Sequence, residues 1–363
     1  MNTGSEHTPR ITVGLSGGVD SAVTAALLKE AGYDVSAIFM QNWPSDDPQC
    51  TASVDLSDAQ SVADHLNIPL SVINLCDEYR QRVFDHCLDD FAAGNTPNPD
   101  VWCNKEIKFG VFLEHILTQH QTSLATGHYA TVKQIGDHYE LHKGIDTNKD
   151  QSYFLYWLNQ KQLSHAQFPL GNYEKPQIRE IAKRLRLPNA TKKDSTGICF
   201  IGERQFKPFL QNFLLAQPGV IRTPNEREIG QHDGVIFYTL GQRKGLNIGG
   251  RQGADDAPWY VVHKDLENNE LIVAQEHDHP LIMRKECVLK DMHWISGVTP
   301  NEPVICQAKT RYRQADQAAT LTPLDNNSSH IRFEEPQRAL TPGQSVVLYQ
   351  GSQCLGGGII TLP

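Results

Sequence analysis

Ser16-Gly17-Gly18-Val19-Asp20-Ser21 is the stretch that decides the fold of this 363-residue chain. It follows the apolar run 11–15 and precedes the helix-like run 22–31. A strand, a glycine-rich turn and a helix in this order present free backbone N–H groups to a phosphate, and the helix dipole adds about half a positive charge there. Gly17 and Gly18 allow positive φ and a close approach of the backbone. The stretch therefore predicts an α/β domain that binds a phosphorylated ligand.

This glycine turn differs from two commoner phosphate loops. A Walker A loop would need a lysine followed by Ser or Thr after its second glycine, and the dinucleotide fingerprint is G-x-G-x-x-G. SGGVDS fits neither pattern, and it resembles the PP-loop of the ATP pyrophosphatases, which cleave ATP between its α- and β-phosphates. The alternative is an ordinary glycine turn in an α/β domain. The resemblance implies ATP as the nucleotide, with Mg²⁺ expected beside it.

The composition is that of a globular protein with several domains. The length allows two or three domains of about 150 residues, and 39% hydrophobic with 21% charged residues fits a packed core. No apolar run approaches the roughly 18 residues that cross a bilayer, and the polar residues 1–10 contain no secretory signal. The net charge of −9 argues against non-specific coating of nucleic acid but allows a local basic face. We expect a cytoplasmic protein without a membrane partner.

The eight cysteines show no metal-binding spacing. No two of them form C-x-x-C, so no metal site is expected, and the thiols are expected to be reduced and mostly buried. Cys103 and Cys199 differ because they lie in polar, turn-rich stretches, and Cys199 follows Lys192 and Lys193. A reactive thiol needs exposure and partial ionisation, which cationic neighbours favour. These two cysteines are therefore candidates for catalysis, and the alternative for each is a buried structural thiol.

Alternating strand-like and helix-like runs predict a doubly wound parallel sheet in the first part of the chain. Ligands of such sheets bind at the carboxyl ends of the strands, which places Met40 near a nucleotide unless it is a core residue. Pro97 and Pro99 predict a stiff loop without helix before Cys103. The expected strands of the sheet are residues 11–15, 35–40, 70–75 and 124–127.

Shorter runs and frequent turns after Pro218 predict β-rich structure in the rest of the chain. Many short strands with turn signals between them suggest a β-barrel at the C-terminus. The central strands are expected at residues 235–239, 259–263 and 271–274. The predicted organisation is an ATP-binding catalytic domain over residues 1–217, a small central β-rich domain over 218–280 and a C-terminal β-barrel that binds tRNA over 281–363.

Eight motifs occur in an order that resembles one enzyme family. They are SGGVDS, TPNPDVWCNKEIKF, ATGHYA, NKDQSYFL, KKDSTGICFIGER, TLGQRKGL, KTRYRQ and TPGQSVVLY. From about residue 11 to the C-terminus they are similar to the tRNA-specific 2-thiouridylases, sulfurtransferases that modify the wobble uridine of tRNA. The resemblance implies ATP-dependent adenylation of the uracil C2 oxygen, release of pyrophosphate and AMP, and sulfur delivered as a cysteine persulfide. A uridine in a stacked anticodon loop must be turned out into a pocket before it can react this way.

The resemblance also implies roles for particular residues. Cys103 corresponds to the nucleophile, Cys199 to the persulfide carrier that forms a disulfide with Cys103, and Asp100 to a general base. The implied ATP site consists of Gly14, Leu15, Ser16, Gly17, Gly18, Val19, Asp20, Ser21, Met40 and Gly127. The implied contacts of the target base are Asn98, Pro99 and Asp100. The positions that match tRNA contacts are His128, Lys149, Asp150, Gln151, Arg311, Tyr312 and Gln344, with a structural histidine as the alternative for His128.

The implied partners are tRNA, with the Lys, Glu and Gln acceptors expected, and a persulfide relay protein or cysteine desulfurase. Two other functions stay open. One is a different PP-loop enzyme, such as a tRNA lysidine synthetase or an amidotransferase-linked synthetase, which needs no paired cysteines. The other is a tRNA-binding protein with a vestigial nucleotide site. The sequence departs from the family pattern at Gln41, where a lysine is expected, and at Trp102, where an aliphatic residue is usual.

Overall fold

The computed structural model describes residues 8–44, 52–194, 206–248 and 257–362. Its strands are β1 (Arg10–Gly14), β2 (Asp34–Gln41), β3 (Leu70–Asn74), β4 (Ser123–Ala125), β5 (Ala130–Ile135), β6 (His138–Lys143), β7 (Ala166–Gln167), β8 (Gly219–Arg222), β9 (Glu228–His232), β10 (Tyr260–Asp265), β11 (Glu270–Ala274), β12 (Met283–Trp294), β13 (Val304–Lys309), β14 (Gln317–Pro323), β15 (Ser329–Arg338), β16 (Ser345–Gln350) and β17 (Gln353–Thr361). Its α-helices are α1 (Val19–Glu30), α2 (Ala52–Leu66), α3 (Cys76–Tyr79), α4 (Asp85–Ala92), α5 (Pro99–Trp102), α6 (Leu113–His115), α7 (Gln160–Ser164), α8 (Lys175–Arg184) and α9 (Phe206–Leu210).

The N-terminal part is built on a parallel five-stranded sheet with the order β3-β2-β1-β4-β7. Its central strand β1 is buried at Ile11, Thr12 and Val13, as expected for a strand covered on both faces. The helices α1, α2 and α8 bury apolar side chains against it. The chain leaves β1 toward β2 on one side and later returns to β4 on the other. The carboxyl ends of β1 and β4 are therefore the switch point of the sheet, where ligands bind in this architecture.

Residues 95–98 contain no helix, but the prediction that the loop continues to Cys103 is wrong, because Pro99–Trp102 forms α5. Asn98 caps α5 by accepting from the Val101 N–H at 3.4 Å, and Pro99 occupies its first position. A proline interrupts a helix interior but suits the first turn, whose N–H groups have no helical partner. The chain then continues through the wider helical run Cys103–Phe112, which kinks at Gly110, before α6 and the second wide run Ile116–His120.

The central part forms a four-stranded sheet with the order β10-β11-β8-β9. Two of the predicted strands, β10 and β11, pair antiparallel. The predicted strand over residues 235–239 is wrong, because Val235–Phe237 forms a 3₁₀ turn after Gly234, whose φ is +137°. No helix in the described ranges combines the length and the apolar composition that a bilayer crossing would need.

The C-terminal part is a closed antiparallel barrel in which β12 pairs with β15 on one side and β17 on the other. The hairpin β5–β6, which belongs to the first half of the sequence, extends this sheet because β6 pairs with β17. Buried contacts reinforce the joint: the Ser152 hydroxyl lies 3.2 Å from the Tyr349 hydroxyl, and Lys309 pairs with Asp150. The barrel and the first half of the chain are thus joined by main-chain hydrogen bonds as well as by side chains.

Candidate active site

Residues 14–21 connect β1 to α1 and form the predicted phosphate loop. Gly18 precedes α1, and no side chain caps the N–H groups of the first turn. Uncapped N–H groups at a helix start are the donors that such a loop offers to an anion. Ser21 is buried beneath the loop, where its hydroxyl accepts from the Ser16 N–H at 3.1 Å and donates to Gly18 O at 3.1 Å. Leu15 and Val19 are buried on either side, so the loop is held from below.

The two adjacent glycines of the loop serve different purposes. Gly17 has φ +75°, and a Cβ there would lie 2.2 Å from the Asp55 carbonyl oxygen, so only glycine fits. A Cβ on Gly18 would meet a single side-chain atom, at 3.4 Å, and otherwise open space. Gly127 closes the opposite side, because a Cβ there would lie 2.9 Å from the backbone of the first turn of α1. The space in front of Gly18 is a cradle that fits a phosphate group.

A network of charged side chains lies beside the loop. Lys175, at the start of α8, contacts Asp20 at 2.7 Å and Asp194 at 2.8 Å. Lys149 and Arg179 each contact Asp194 at 2.6 Å. Burial raises the pKa of Asp194, but hydrogen bonds from Lys149 and Lys175 outweigh it and lower that pKa to about 2. Asp194 is therefore an ionised carboxylate held by three cations and linked to the phosphate loop through Lys175.

Sequence reasoning missed Lys175, Arg179 and Asn189 in this part of the site. The buried Asn189 side chain donates to Gly17 O at 2.9 Å and holds the loop from behind. Lys175 and Asp20 are 155 residues apart in the chain, so no local motif announces their contact. Lys192, which precedes Cys199 in the sequence, lies 2.7 Å from Asp55 on α2, and Cys199 is outside the described residues.

Met40 and Gly14 lie at the same edge of the sheet as the phosphate loop. Met40 is the half-buried penultimate residue of β2, paired in register with Ile73. Gly14 ends β1, and a Cβ placed on it would lie 3.4 Å from Phe112. The helical run Cys103–Phe112 therefore packs with its far end against the start of the loop.

Asp100 is the exposed residue of α5. Desolvation by the groups crowded around its carboxyl raises the pKa, and the charge of Lys108 opposes this effect. A raised pKa brings a carboxylate closer to the range in which it can take up and release a proton near neutral pH. Lys108 follows in the same motif, and sequence reasoning did not single it out.

Cys103 lies one helical turn after Asp100, and its N–H donates to Asp100 O. Its side chain is 2% exposed and belongs to an apolar cluster with Val101 and Ile107. The expectation of an exposed thiol is wrong for Cys103 in this conformation, because helix formation turns the residue inward. Cys199 lies outside the described residues, as does its predicted disulfide.

His128 was predicted to contact tRNA, but the structure places it in the interior. It is 7% exposed, and both Phe109 and Phe168 have ring centres 5.8 Å from its own. Its Nδ1 lies 2.7 Å from the Thr126 hydroxyl. Burial, with a contribution from the charge of Lys108, lowers the pKa of His128 well below its usual value, so the ring is neutral. The alternative of a structural histidine fits this position, and a direct contact with RNA does not.

Asp150 is likewise buried rather than presented to a ligand. It is 4% exposed, and its carboxylate accepts from the N–H groups of Gly144 and Ser152 at 3.2 and 3.1 Å. Lys309 from the barrel supplies the opposite charge at 3.4 Å. The predicted contact of Asp150 with tRNA does not fit this arrangement, because a buried carboxylate needs exactly such partners to remain charged.

Gln151 and Gln344 use their side-chain amides within the protein. Gln151 Oε1 accepts from the Tyr129 N–H at 3.1 Å. Gln344 Nε2 donates to Thr96 O at 2.8 Å and to Pro97 O at 3.1 Å. Both residues are half-buried, so each braces the site from another segment of the chain.

An aromatic and basic surface forms where the barrel meets the first domain. The Tyr312 ring lies 4.6 Å from that of Phe154, and its hydroxyl donates to Lys149 O at 3.4 Å. Arg311 is half-buried and donates to a carbonyl of the barrel, Ala339 O, at 3.0 Å. Arg313 is exposed, with its guanidinium 5.1 Å from the centre of the Tyr312 ring. This combination of a ring and an exposed guanidinium suits stacking and phosphate contacts.

A parallel sheet with an uncapped glycine loop at its switch point defines an α/β nucleotide-binding domain, here followed by two β-rich domains. Sequence profiles of three domain families match the same three parts. They are the tRNA methyl transferase HUP domain over residues 9–203, the tRNA methyl transferase PRC-barrel domain over 207–275 and the aminomethyltransferase beta-barrel domain over 284–360. The predicted fold class is confirmed.

Relatives match along nearly the whole chain. The tRNA-specific 2-thiouridylase MnmA of Coxiella burnetii is 58% identical over 357 residues, which cover 98% of this chain and 96% of that one. The proteins of the same name from Nitrosococcus oceani and Haemophilus influenzae are 54% and 52% identical, and cover 97% and 98% of this chain with 97% and 94% of their own. The chain belongs to the family of tRNA-specific 2-thiouridylases. The predicted family and the predicted class of enzyme, a sulfurtransferase, are confirmed.

Proposed function

We propose that this chain uses ATP to replace the C2 oxygen of the wobble uridine of tRNA by sulfur, which gives 2-thiouridine, AMP and pyrophosphate. The observation that carries the proposal is the packing of the run Cys103–Phe112. One end of this run follows Asp100 and carries Cys103, and the other end contacts the start of the phosphate loop at Gly14. A nucleotide on the loop and a base beside Asp100 would share one edge of the sheet.

ATP binding is supported by the geometry of the phosphate loop. The N–H groups at the start of α1 would hold the phosphates in the space that Gly18 leaves open, and Met40 with Gly127 would lie beside the adenosine. Mg²⁺ is proposed to accompany ATP. Its ligands would come largely from phosphate oxygens and water, because the described residues contain no group of three or more His, Cys, Asp or Glu that could hold a metal.

The first chemical step is adenylation of the base. The uridine is turned out toward Asn98 and Pro99, and Asp100 accepts the N3 proton as general base. The C2 oxygen then attacks the α-phosphate of ATP, the bond between the α- and β-phosphates breaks, and pyrophosphate leaves. The raised pKa of Asp100 supports this role, since it makes the carboxylate a better base than a fully solvated aspartate.

The second step transfers sulfur. Cys199 carries the incoming sulfur as a persulfide, and the Cys103 thiolate attacks its inner sulfur. This forms the Cys103–Cys199 disulfide and releases hydrosulfide, which adds to C2 and expels AMP together with the original oxygen. An external dithiol must then supply two electrons to reduce the disulfide before the next turnover. A persulfide relay protein or cysteine desulfurase is proposed to reload Cys199.

The substrates are proposed to be tRNAs of the Lys, Glu and Gln acceptors. The exposed Arg313 and the ring of Tyr312, together with Arg311, Lys149 and Gln151 around them, support contacts with the anticodon arm. We propose the domain division 1–217, 218–280 and 281–363, with the barrel as the tRNA-binding part.

The test is to incubate the enzyme with tRNA, ATP, Mg²⁺ and a persulfide donor, and to analyse nucleosides by mass spectrometry. The expected product is 2-thiouridine at the wobble position with one AMP formed for each sulfur incorporated. Omission of ATP should remove the product. Sulfur at another nucleotide, or thiolation without AMP formation, would contradict the proposal.

A further inference from the structure

Residues 94–97, named here the entry segment, lead from α4 into Asn98 and α5. The hydrogen bonds that this segment makes with distant parts of the chain come from the two β-rich domains. The Thr96 N–H donates to Pro342 O at 2.8 Å, and the Thr96 hydroxyl lies 3.1 Å from that of Thr239. The barrel and the central domain therefore hold the approach to the base-binding residues at the same time.

Gln344 makes the side-chain contacts of the barrel with the entry segment. Its amide nitrogen donates to both Thr96 O and Pro97 O, at 2.8 and 3.1 Å. The neighbouring Gly343 has φ +87°, and a Cβ there would lie 2.9 Å from Thr96 O, so this close approach of two backbones requires glycine. The amide donor that could meet tRNA is thus engaged with the entry segment.

The central-domain side is Lys264, a half-buried lysine on β10. Its ammonium donates to Gly94 O at 2.6 Å and to Tyr238 O at 2.8 Å. Lys264 forms no ion pair with a carboxylate in the described part of the chain. Burial lowers the pKa of Lys264 to about 8. The ammonium of Lys264 therefore joins the entry segment to the central domain through hydrogen bonds to two carbonyl oxygens.

We propose that Lys264 and Gln344 are positioning residues, which hold the entry segment so that Asn98 and Asp100 meet the target base in reactive geometry. They act on the carbonyl groups of residues 94, 96 and 97 and do not touch the base. The proposal rests on the proposed function, because its effect is a change in the rate of base adenylation and thiolation.

Two features would transmit a displacement of the entry segment to Asn98 and to the start of α5. Pro97 and Pro99 fix φ on either side of Asn98, so a shift of Thr96 moves the helix cap rather than being absorbed by rotation. The Asn98 side chain also accepts from the Val101 N–H at 3.4 Å, so the residue between the two prolines is itself the cap of α5. A misplacement of about 1 Å can lower a rate about 100-fold.

The experiment compares Lys264→Met and Gln344→Glu with the wild type in single-turnover AMP formation and thiolation. Lys264→Met keeps the apolar stem and removes the donors, and Gln344→Glu keeps the shape but faces two carbonyls with a carboxylate. We expect rates about 10- to 100-fold lower, with the Kd for tRNA and for ATP within about twofold of the wild type. Hydrogen exchange over residues 94–102 should be faster in both variants.

Two further variants separate positioning from general damage. Lys264→Arg retains charged donors and should recover most of the rate. Lys285→Met is the matched control, because Lys285 is exposed on β12 and donates to a single carbonyl, Glu334 O, at 2.8 Å. Its rate should stay within about twofold of the wild type.

The proposal is overturned if Lys264→Met and Gln344→Glu thiolate at the wild-type rate, or if their whole defect is a weaker Kd for tRNA. If either variant fails to fold, Thr239→Val decides, since it removes only the hydroxyl that faces Thr96 and must also lower the rate. A wild-type enzyme that makes no 2-thiouridine would refute the proposed function. A wild type that does so, with no slower variant, refutes this inference alone.

Discussion

The phosphate loop and the base-binding residues are assembled in different ways. The loop is closed by bonds among residues 16, 18 and 21, and it lies directly between a strand and the helix that follows. The stretch around Asn98 and Asp100 is instead held by Gln344 from the barrel and Lys264 from the central domain. On the proposed function, ATP binding is therefore a property of one domain, and reactive placement of the base is a property of three.

This difference separates the effects that mutations should have. Changes in the loop should remove nucleotide binding outright, because the N–H groups of the loop itself would hold the phosphates. Changes in distant domains should leave nucleotide binding intact and slow the chemistry on the base. Four further experiments test this division, in order of decreasing effect.

The largest effect is expected from Cys103→Ser, which should separate activation of the base from sulfur transfer. Thiolation should fall by about 1,000-fold or more, because a hydroxyl does not open a persulfide as a thiolate does. Pyrophosphate release and formation of the adenylated base should persist, whereas AMP, which only the incoming sulfur expels, should not be released. Nucleoside mass spectrometry and a pyrophosphate assay measure the two steps.

Cys87→Ala is the matched control for Cys103. Cys87 is 1% exposed in the same apolar cluster, so its replacement should leave at least half the activity. Peptide mapping of the wild type after one turnover without reductant should find Cys103 joined to Cys199. Product formation with no such disulfide would refute the proposed exchange.

Replacing the two loop glycines by valine should lower two different quantities, ATP affinity in one variant and the free energy of unfolding in the other. Gly18→Val fills the open cradle, so ATP affinity should fall about 100-fold or more while the fold persists. Gly17→Val forces a side chain against Asp55 O at positive φ and should lower the free energy of unfolding by about 3 kcal/mol. Calorimetric titration with ATP and urea denaturation measure the two effects. Unchanged ATP affinity in folded Gly18→Val would contradict the assignment of the loop.

Arg313→Ala tests the exposed part of the tRNA surface. Affinity for tRNA should fall about fivefold, and the slope of log K against log salt should decrease by about one phosphate contact. Arg311→Ala should show a similar change in slope together with a lower melting temperature, because Arg311 also donates to Ala339 O. An unchanged salt slope in both variants would place this surface away from RNA.

The smallest effect is expected from Asp194→Asn, which should lower the free energy of unfolding at neutral pH and lose this effect at acidic pH. Because the folded-state pKa of Asp194, about 2, is below its unfolded value, its stabilisation is present above about pH 4 and is lost as the pH falls through 2. At pH 7 the free energy of unfolding should decrease by about 1 kcal/mol, a modest amount for a side chain still 32% exposed.

Urea denaturation at pH 7, 5 and 3 should show the gap between wild type and Asp194→Asn closing toward the lowest pH. Asp325→Asn is the control, because Asp325 is an exposed turn residue without an ion pair in the described ranges. A gap that widened on acidification would contradict the assignment of three cations to Asp194.

The sequence was sufficient for the elements whose cause is local. Residues 10–30 follow from an apolar run, two glycines and a helical pattern, and the barrel strands follow from repeated short runs between turns. The prediction at Pro99 was wrong because proline interrupts the interior of a helix but suits its first position. Only the cap at Asn98 decides between these two outcomes. The turn Val235–Phe237 was predicted as a strand because three successive apolar residues fit either structure.

The candidate site shows the same difference between features with a local cause and features that depend on distant residues. The phosphate loop is contiguous and could be read directly, whereas Lys264 reaches Gly94 across 170 residues and carries no motif. The resemblance assigned Asp150 to tRNA, and its burial depends on Lys309, 159 residues away. Cys103 was expected to be accessible because its stretch of sequence is polar and rich in turn residues, which does not reveal the helix that encloses it.

The pairing of β6 with β17 also has a consequence for how the chain folds during synthesis. Leu141 pairs with Cys354, so 354 − 141 = 213 residues beyond Leu141 must be made before this edge can be covered. Contacts of such long sequence separation form late, and an uncovered strand edge is open to pairing with other chains meanwhile. The uncovered strand, β6, carries Glu140 and Lys143, and charged side chains discourage edge-to-edge pairing. The edge of β6 is thus protected against pairing with other chains until β17, the last strand of the barrel, has been synthesised.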